Sequence, residues 1–178
     1  MKILIIADPK ITVPPKLYGG VERIIDLYAK EFIRLGHTVD IIASKGSNNY
    51  NGLLYTHKAP STKWISRAYR KIIFQFKSIY ASRNCDFIFN HGRFDYLESL
   101  LKFGKPIIQY QHNALDAKQI KIMEAKSNKK FKLICISKNQ LSGFKTKFKT
   151  KVIHNFVDTK FFSPKNFQKE NYLAYLGR

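Results

Sequence analysis

The sequence predicts an α/β fold built on a parallel sheet with helices on both faces, and three observations carry that prediction. Short apolar runs alternate along the chain with longer amphipathic ones. The short runs are apolar at nearly every position, as strands covered on both faces must be. At 178 residues, 44% of them hydrophobic, the chain can bury a core under such a sheet, so its high charge does not signal disorder.

The first strand is expected at 2–7 (KILIIA), where Asp8 and Pro9 end the apolar run. A helix follows at 20–35, in which Val21, Ile24, Ile25, Tyr28, Phe32 and Leu35 recur with a period near 3.6. Gly36 stops it in the manner of a glycine just past the last turn. Further strands are expected at 38–43 (TVDIIA), 53–56, 86–89 (DFIF), 106–110 (PIIQY), 133–136 (LICI) and 151–153. Helices at 62–83, 94–103, 115–128 and 138–147 fill the intervals, and "SKGSNNYNG" at 44–52 reads as a flexible loop. The alternation is that of a Rossmann-like sheet. After a polar, proline-containing stretch the sequence "YLAYLGR" (172–178) opens one more strand, as the start of a second domain would.

Composition narrows the partners. Thirty-two Lys and Arg against twelve Asp and Glu leave a formal charge of +20, which favours nucleic acid, an acidic membrane leaflet or a phosphorylated ligand. Only Cys85 and Cys135 occur, each in or beside an apolar run, so a disulfide framework is not expected and a reducing compartment fits. The apolar start is too short for a signal peptide or a membrane span. A cytoplasmic protein, peripheral on the inner face of a membrane, is the expectation.

In open α/β sheets ligands sit beyond the carboxyl ends of the strands. Those positions here carry Asp8, then "NHGR" (Asn90 to Arg93), "QHN" (Gln111 to Asn113) and "SKN" (Ser137 to Asn139), so two of five histidines and a serine converge on one rim. His37 lies at the opposite edge and reads as a turn residue, and His57 is assigned no role. The pair Gly19-Gly20 in "LYGGVERII" stands at a helix start, where free amides and the helix dipole favour an anion. A plain glycine N-cap is the competing reading. No G-x-G-x-x-G follows the first strand, and no Walker A loop, D-x-D, H-E-x-x-H or G-x-S-x-G occurs. These absences argue against metal-dependent and serine-nucleophile chemistry.

The segment "TKWISRAYRKIIFQFKSIYASR" combines an apolar stripe (Ile65, Ala68, Ile72, Phe76, Ile79) with a basic one (Lys63, Arg67, Arg70, Lys77) and has no acid. Trp64, Phe74 and Tyr80 are expected as additional exposed aromatics. Such a helix both packs on a sheet and suits contact with an anionic membrane surface through residues 62–83. The nine lysines from Lys126 to Lys151, with no acid among them, could serve the same surface.

In order, "LYGGVERIIDLYAKEFIRLGHTVDIIAS", "FIFNHGRFDYL", "QYQHN", "ICISKNQ", "VIHNFVDTKFF" and "YLAYLGR" resemble the N-terminal half of family 4 (GT4) retaining glycosyltransferases with the GT-B fold. The resemblance implies a two-domain enzyme that transfers a sugar from a nucleotide diphosphate sugar to a glycan or lipid-linked acceptor, with retention and with no metal or other cofactor. It implies that residues 1–163 form the N-terminal acceptor-binding domain. Residues 164–178 would be the linker and first strand of a C-terminal donor-binding domain, the rest of which, with its Glu-x7-Glu motif, is not in this sequence; this half alone would be inactive.

Residue by residue, the resemblance implies that Gly19 and Gly20 approach the donor phosphates and that His112 is the catalytic histidine at the transferred sugar. It places Asn90, His91 and Arg93 at the acceptor, and gives Glu22 the role of bracing the helix start. The family's Asn-Gly-Val-Asp turn reads Asn155, Phe156, Val157, Asp158 here, and phenylalanine suits a left-handed backbone poorly. The alternative is a non-catalytic module that binds a nucleotide sugar or a polyanion. Nucleic acid is the weaker partner, since no exposed sheet face carries interleaved aromatics and cations.

Overall fold

The computed structural model describes residues 1–58 and 64–159. The strands are β1 (Lys2–Ile6), β2 (Thr38–Ala43), β3 (Leu54–Thr56), β4 (Phe87–Asn90), β5 (Ile107–Gln111), β6 (Phe131–Cys135) and β7 (Lys149–Val152). Four helices, α1 (Gly20–Arg34), α2 (Trp64–Ser82), α3 (Phe94–Leu100) and α4 (Ala117–Lys126), connect them. The expected terminal strand and linker at 164–178 lie outside the described residues, as does Lys63.

The sheet is seven-stranded and wholly parallel, in the order β3-β2-β1-β4-β5-β6-β7. Its order reverses between β1 and β4, which makes the crevice at their carboxyl ends the place where such a sheet takes ligands. Alternate residues of each strand point to opposite faces, and two cores follow. On one side Leu4, Ile6, Ile42 and Ile88 meet Phe74 of α2, Leu97 of α3 and Met123 of α4. On the other, Ile3, Ile5, Val39 and Ile41 meet Ile25 and Ala29 of α1. This is the expected α/β, Rossmann-like arrangement with helices on both faces.

One strand carries a charge into the sheet. Asp40 in β2 is fully buried, where its carboxylate accepts from the Leu53 amide at 2.8 Å and pairs with Lys2 at 3.0 Å. The paired ammonium and the amide offset the desolvation of the charge.

Three expectations about local structure change. The helix expected at 138–147 is only a 3-10 turn, Lys138–Leu141, because Ser142 turns extended and Gly143 takes φ +84°. The side chain of Gln140 is meanwhile spent on bonds to the Ile136 amide and the Asn113 carbonyl. The loop at 44–52 is pinned rather than free. Ser47 Oγ accepts from the Val13 amide, Tyr50 Oη donates to Asp26, and Asn51 bridges Val39 and His37.

The third change concerns α2, which turns a different face to the sheet. Phe74, Ser78, Ala81 and Ser82 are buried, whereas Ile72, Phe76 and Ile79 of the expected stripe are 50%, 69% and 37% exposed. Ala68 is exposed too, and the side chains of Trp64, Ile65 and Arg67 lie outside the described residues. Phe74 was expected outside and is instead fully buried, stacked on Tyr96 at 4.0 Å. The helix is apolar on two sides, and the side bearing small serine and alanine residues lies closer to the strands.

Phe156 resolves the departure in the turn after β7. No non-glycine residue among those described has positive φ, so the phenylalanine avoids the left-handed region, and its ring packs edge-on against Tyr28 at 4.9 Å.

Candidate functional site

A cavity of about 340 Å³ opens at the reversal point of the sheet, lined by Asp8 after β1, Glu22 of α1, His91 and Arg93 after β4, and Gln109 and His112 of β5 and its end. Two of the residues singled out in the sequence meet here directly. His91 Nδ1 and His112 Nε2 are 3.0 Å apart although 21 positions separate them in the chain. Neighbouring parallel strands β4 and β5, in register up to Asn90 and Gln109, end next to each other, so that His91 stacks on Tyr110 and reaches His112 two residues further on.

The pair is embedded in aromatic rings. His91 stacks on Tyr110 at 5.0 Å, lies edge-on to Phe89 at 4.4 Å, and stacks on His112 at 5.3 Å. Burial holds His112 down at about 4, and it holds His91 well below the ordinary imidazole value, with the neighbouring His112 adding to the effect. Both rings are therefore neutral at pH 7. Between two neutral imidazoles a bond at this distance has one nitrogen donating and the other accepting. Among the described residues His91 Nε2 and His112 Nδ1 have no hydrogen-bond partner.

The remaining cavity groups form a charged rim. Arg93 Nε donates to Asp8 Oδ2 at 2.5 Å. Glu22 is raised from the ordinary carboxyl value by burial first, and nearby Asp8 adds to this. Its own amide hydrogen-bonds to the carboxylate and offsets part of the rise. Asp8 takes the rim position expected of it, whereas Glu22, expected only to brace the helix start, and Gln109, assigned no role in the sequence, join the cavity wall. A carboxylate at the end of the first strand was visible in the sequence; the inward side chain of Gln109 was not.

Asn90 is fully buried and does not line the cavity. Its amide donates to Gln109 Oε1 at 2.5 Å and its oxygen accepts from the Gly92 amide, so it shapes the loop that carries His91 and Arg93. Ser137 does not line the cavity with the two histidines; it stands at the start of the 3-10 turn, where its amide donates to Gln140 Oε1 at 3.2 Å. His57 is buried at the end of β3 against Phe74 and Tyr96, a position its sequence context did not disclose.

The two glycines differ. Gly19, the residue before α1, has φ +154°, and a Cβ there would lie 2.6 Å from Pro15 Cβ. Gly20 faces open space, with nothing within 4 Å of a Cβ. The next residues of that turn, Val21 and Glu22, line the cavity, so the start of α1 borders it. Gly19→Ala is expected to cost about 2 kcal/mol or more, from backbone strain and overpacking. Gly20→Ala is expected to leave stability unchanged or slightly raised. Urea denaturation of both variants checks this contrast.

Among the described residues no group of three His, Cys, Asp or Glu side chains is placed to hold a metal ion. Cys85 and Cys135 are free and buried, and neither lines the cavity. No helix among these residues is long and apolar enough to cross a membrane.

Residues 18–161 match the family described as Glycosyltransferase Family 4. Comparison with curated proteins finds no match. Among solved structures the chain is similar to an alpha-glucosyltransferase (AGT) in complex with UDP, at 13% identity and a TM-score of 0.53, covering 89% of this chain and 45% of that one. It is also similar to an alpha-glucosyltransferase in complex with UDP and a 13-mer DNA containing a central A:G mismatch. There the identity is 14% and the TM-score 0.49, over 78% of this chain and 38% of the other. The chain thus spans less than half the length of either structure, and the first likeness shows the fold.

Proposed function

The chain belongs to glycosyltransferase family 4, and from that premise we propose that it supplies the acceptor-side domain of an enzyme moving a sugar from a nucleotide diphosphate sugar to a glycan or lipid-linked acceptor. Retention of configuration, independence of metal and transfer of a hexose belong to the same proposal. So does the division into an acceptor domain at 1–163 and a linker with the first strand of a donor domain at 164–178, and with it the inactivity of this half alone.

The observation that carries the reading is the neutral His91–His112 pair in a cavity at the reversal point of a parallel sheet. A neutral imidazole can donate a hydrogen bond to a sugar hydroxyl or accept one from it, which suits catalysis by placement. In this reading His112 touches the transferred sugar and His91 and Arg93 face the acceptor. Asn90 acts through the loop it holds. Gly19 and Gly20 receive the donor phosphates at the uncapped start of α1, where Gly20 leaves room for close approach. With no D-x-D in the sequence, stabilisation of the departing diphosphate falls to amides and cations.

The exposed face of α2 supports a peripheral place on the cytoplasmic side of a membrane. Tyr69, Ile72, Phe76 and Tyr80 are exposed there, with Lys71 beside them. Each basic residue at an anionic leaflet adds about 1 kcal/mol.

The test is a transfer assay with the full-length gene product, a panel of nucleotide diphosphate sugars and a membrane extract as acceptor source. Transfer that persists in EDTA and conserves the anomeric configuration is the expected result. Loss of activity in EDTA or an inverted product would refute that part of the reading. Nucleotide-sugar binding with no transfer to any acceptor would leave a binding module instead.

A further inference from the structure

A second cavity, of about 490 Å³, lies on the same carboxyl edge of the sheet two strands away, between the end of β3 and α2. Its wall carries Lys45, Lys58, Arg70 and Lys77, together with hydroxyls of Ser66 and Tyr69, and among the described residues no carboxylate lines it. We propose that this cavity is the subsite for a phosphate group of the acceptor, so that the acceptor is a phosphate-bearing, anionic molecule. The inference rests on reading the first cavity as the transfer site.

Four cations around one cavity repel one another, and that arrangement is stabilised when an anion occupies it. A phosphate ester suits it better than a carboxylate. It brings about −1.5 to −2 charges and three acceptor oxygens to ammonium, guanidinium and hydroxyl donors that converge from different elements. The wall is also held in place. Lys77 Nζ donates to the Thr56 carbonyl, anchoring α2 to β3. Beneath lies His57, 5% exposed and held at about 4 by burial first and then by Lys77 and Arg70, so the field of these two cations reaches the ring.

The two cavities are neighbours. His57 Nε2 contacts Tyr96 Oη at 3.2 Å, and Tyr96 packs so near Gly92 that a Cβ there would be 3.1 Å from its ring. Gly92 and Arg93 line the first cavity, and Asp8 of that cavity acts electrostatically on His57. A molecule with its phosphate among the lysines therefore has its remaining part directed along the rim toward His91 and His112.

The proposal is tested by titrating inorganic pyrophosphate and glucose 6-phosphate onto the 15N-labelled chain, with glucose as uncharged control, and repeating this with Lys45→Gln/Lys58→Gln. Both substituted residues are exposed, so the fold is expected to be kept, and the amide spectrum of the variant verifies it. The expected result is a shift of the amides of Thr56, His57 and Lys58 and of the first turns of α2 with both phosphates. Glucose should cause none, and affinity should fall at least about tenfold in the double variant.

Unchanged affinity in that variant, or shifts confined to the Gly19–Glu22 turn, would overturn the proposal. A separate UDP titration reads the donor reading. UDP failing to bind while pyrophosphate still shifts the β3–α2 amides would sink the transferase reading and leave the anion site standing. Co-sedimentation with phosphatidylcholine vesicles containing phosphatidic acid separates the sources. Retention released by pyrophosphate points to a lipid-borne phosphate. Retention that pyrophosphate does not release, or none at all, points to a soluble phosphate ester.

Discussion

His112→Ala is expected to lower the transfer rate of the full-length enzyme by about 10²- to 10³-fold, the scale on which one positioned hydrogen-bonding group acts in a closed site. The effect should fall on kcat more than on donor KM, because the ring is asked to place the reacting sugar rather than to hold the nucleotide. His91→Phe separates placement from packing. A phenyl ring can keep the stack on Tyr110 but cannot bond His112, so a smaller loss of about tenfold is expected from the freed imidazole.

The same pair sets an acid limit on the fold. In the unfolded chain both imidazoles take a proton near pH 6.5. In the folded protein His112 does so only at about 4, and His91 well below its ordinary value. Between these limits the unfolded state binds more protons, so stability is complete above about pH 6.5 and falls as the pH drops toward 4. Denaturation midpoints across this range should decline for the native chain and decline less steeply in His112→Ala, where buried His91 and His57 keep part of the slope. Equal slopes in both proteins would place the acid sensitivity elsewhere.

The second large effect is structural. Phe74→Ala is expected to cost about 3–5 kcal/mol, since its fully buried ring is lost from between Tyr96, His57 and the sheet. Phe76→Ala, two residues on, should change stability by no more than about 0.5 kcal/mol, because that ring is 69% exposed. Denaturant midpoints of the two variants decide which face of α2 meets the sheet. Retention on anionic vesicles should show the reverse order, with Phe76→Ala the weaker binder, since its ring lies on the face assigned to the leaflet. A larger loss in Phe76→Ala than in Phe74→Ala would mean that the helix packs through its other side.

Much of the fold was legible in the chain. Runs such as KILIIA and TVDIIA can hardly be anything but strands covered on both faces, because apart from Lys2, Thr38 and Asp40 every residue in them is apolar. The spacing of Ile24, Ile25 and Tyr28 made α1 a helix with one inward stripe, and the polar residues following β4 and β5 marked the rim of the site. These features are local, since strand and helix periods are set by the backbone of the segment itself.

What only the tertiary structure decided depends on what a segment meets. A helix apolar on two sides does not say which side the sheet will take, and in α2 the small residues Ser78 and Ala81 settled it by allowing close approach. Asn90 and His91 stand side by side in sequence, yet one is buried under the loop and the other joins a histidine 21 positions away, at the adjacent ends of two parallel strands. His57 and the lysines around the second cavity were scattered charges until β3 and α2 folded against each other. Sequence period encodes a side chain's direction about its own axis, whereas a site is a property of neighbours, and neighbours are chosen by packing.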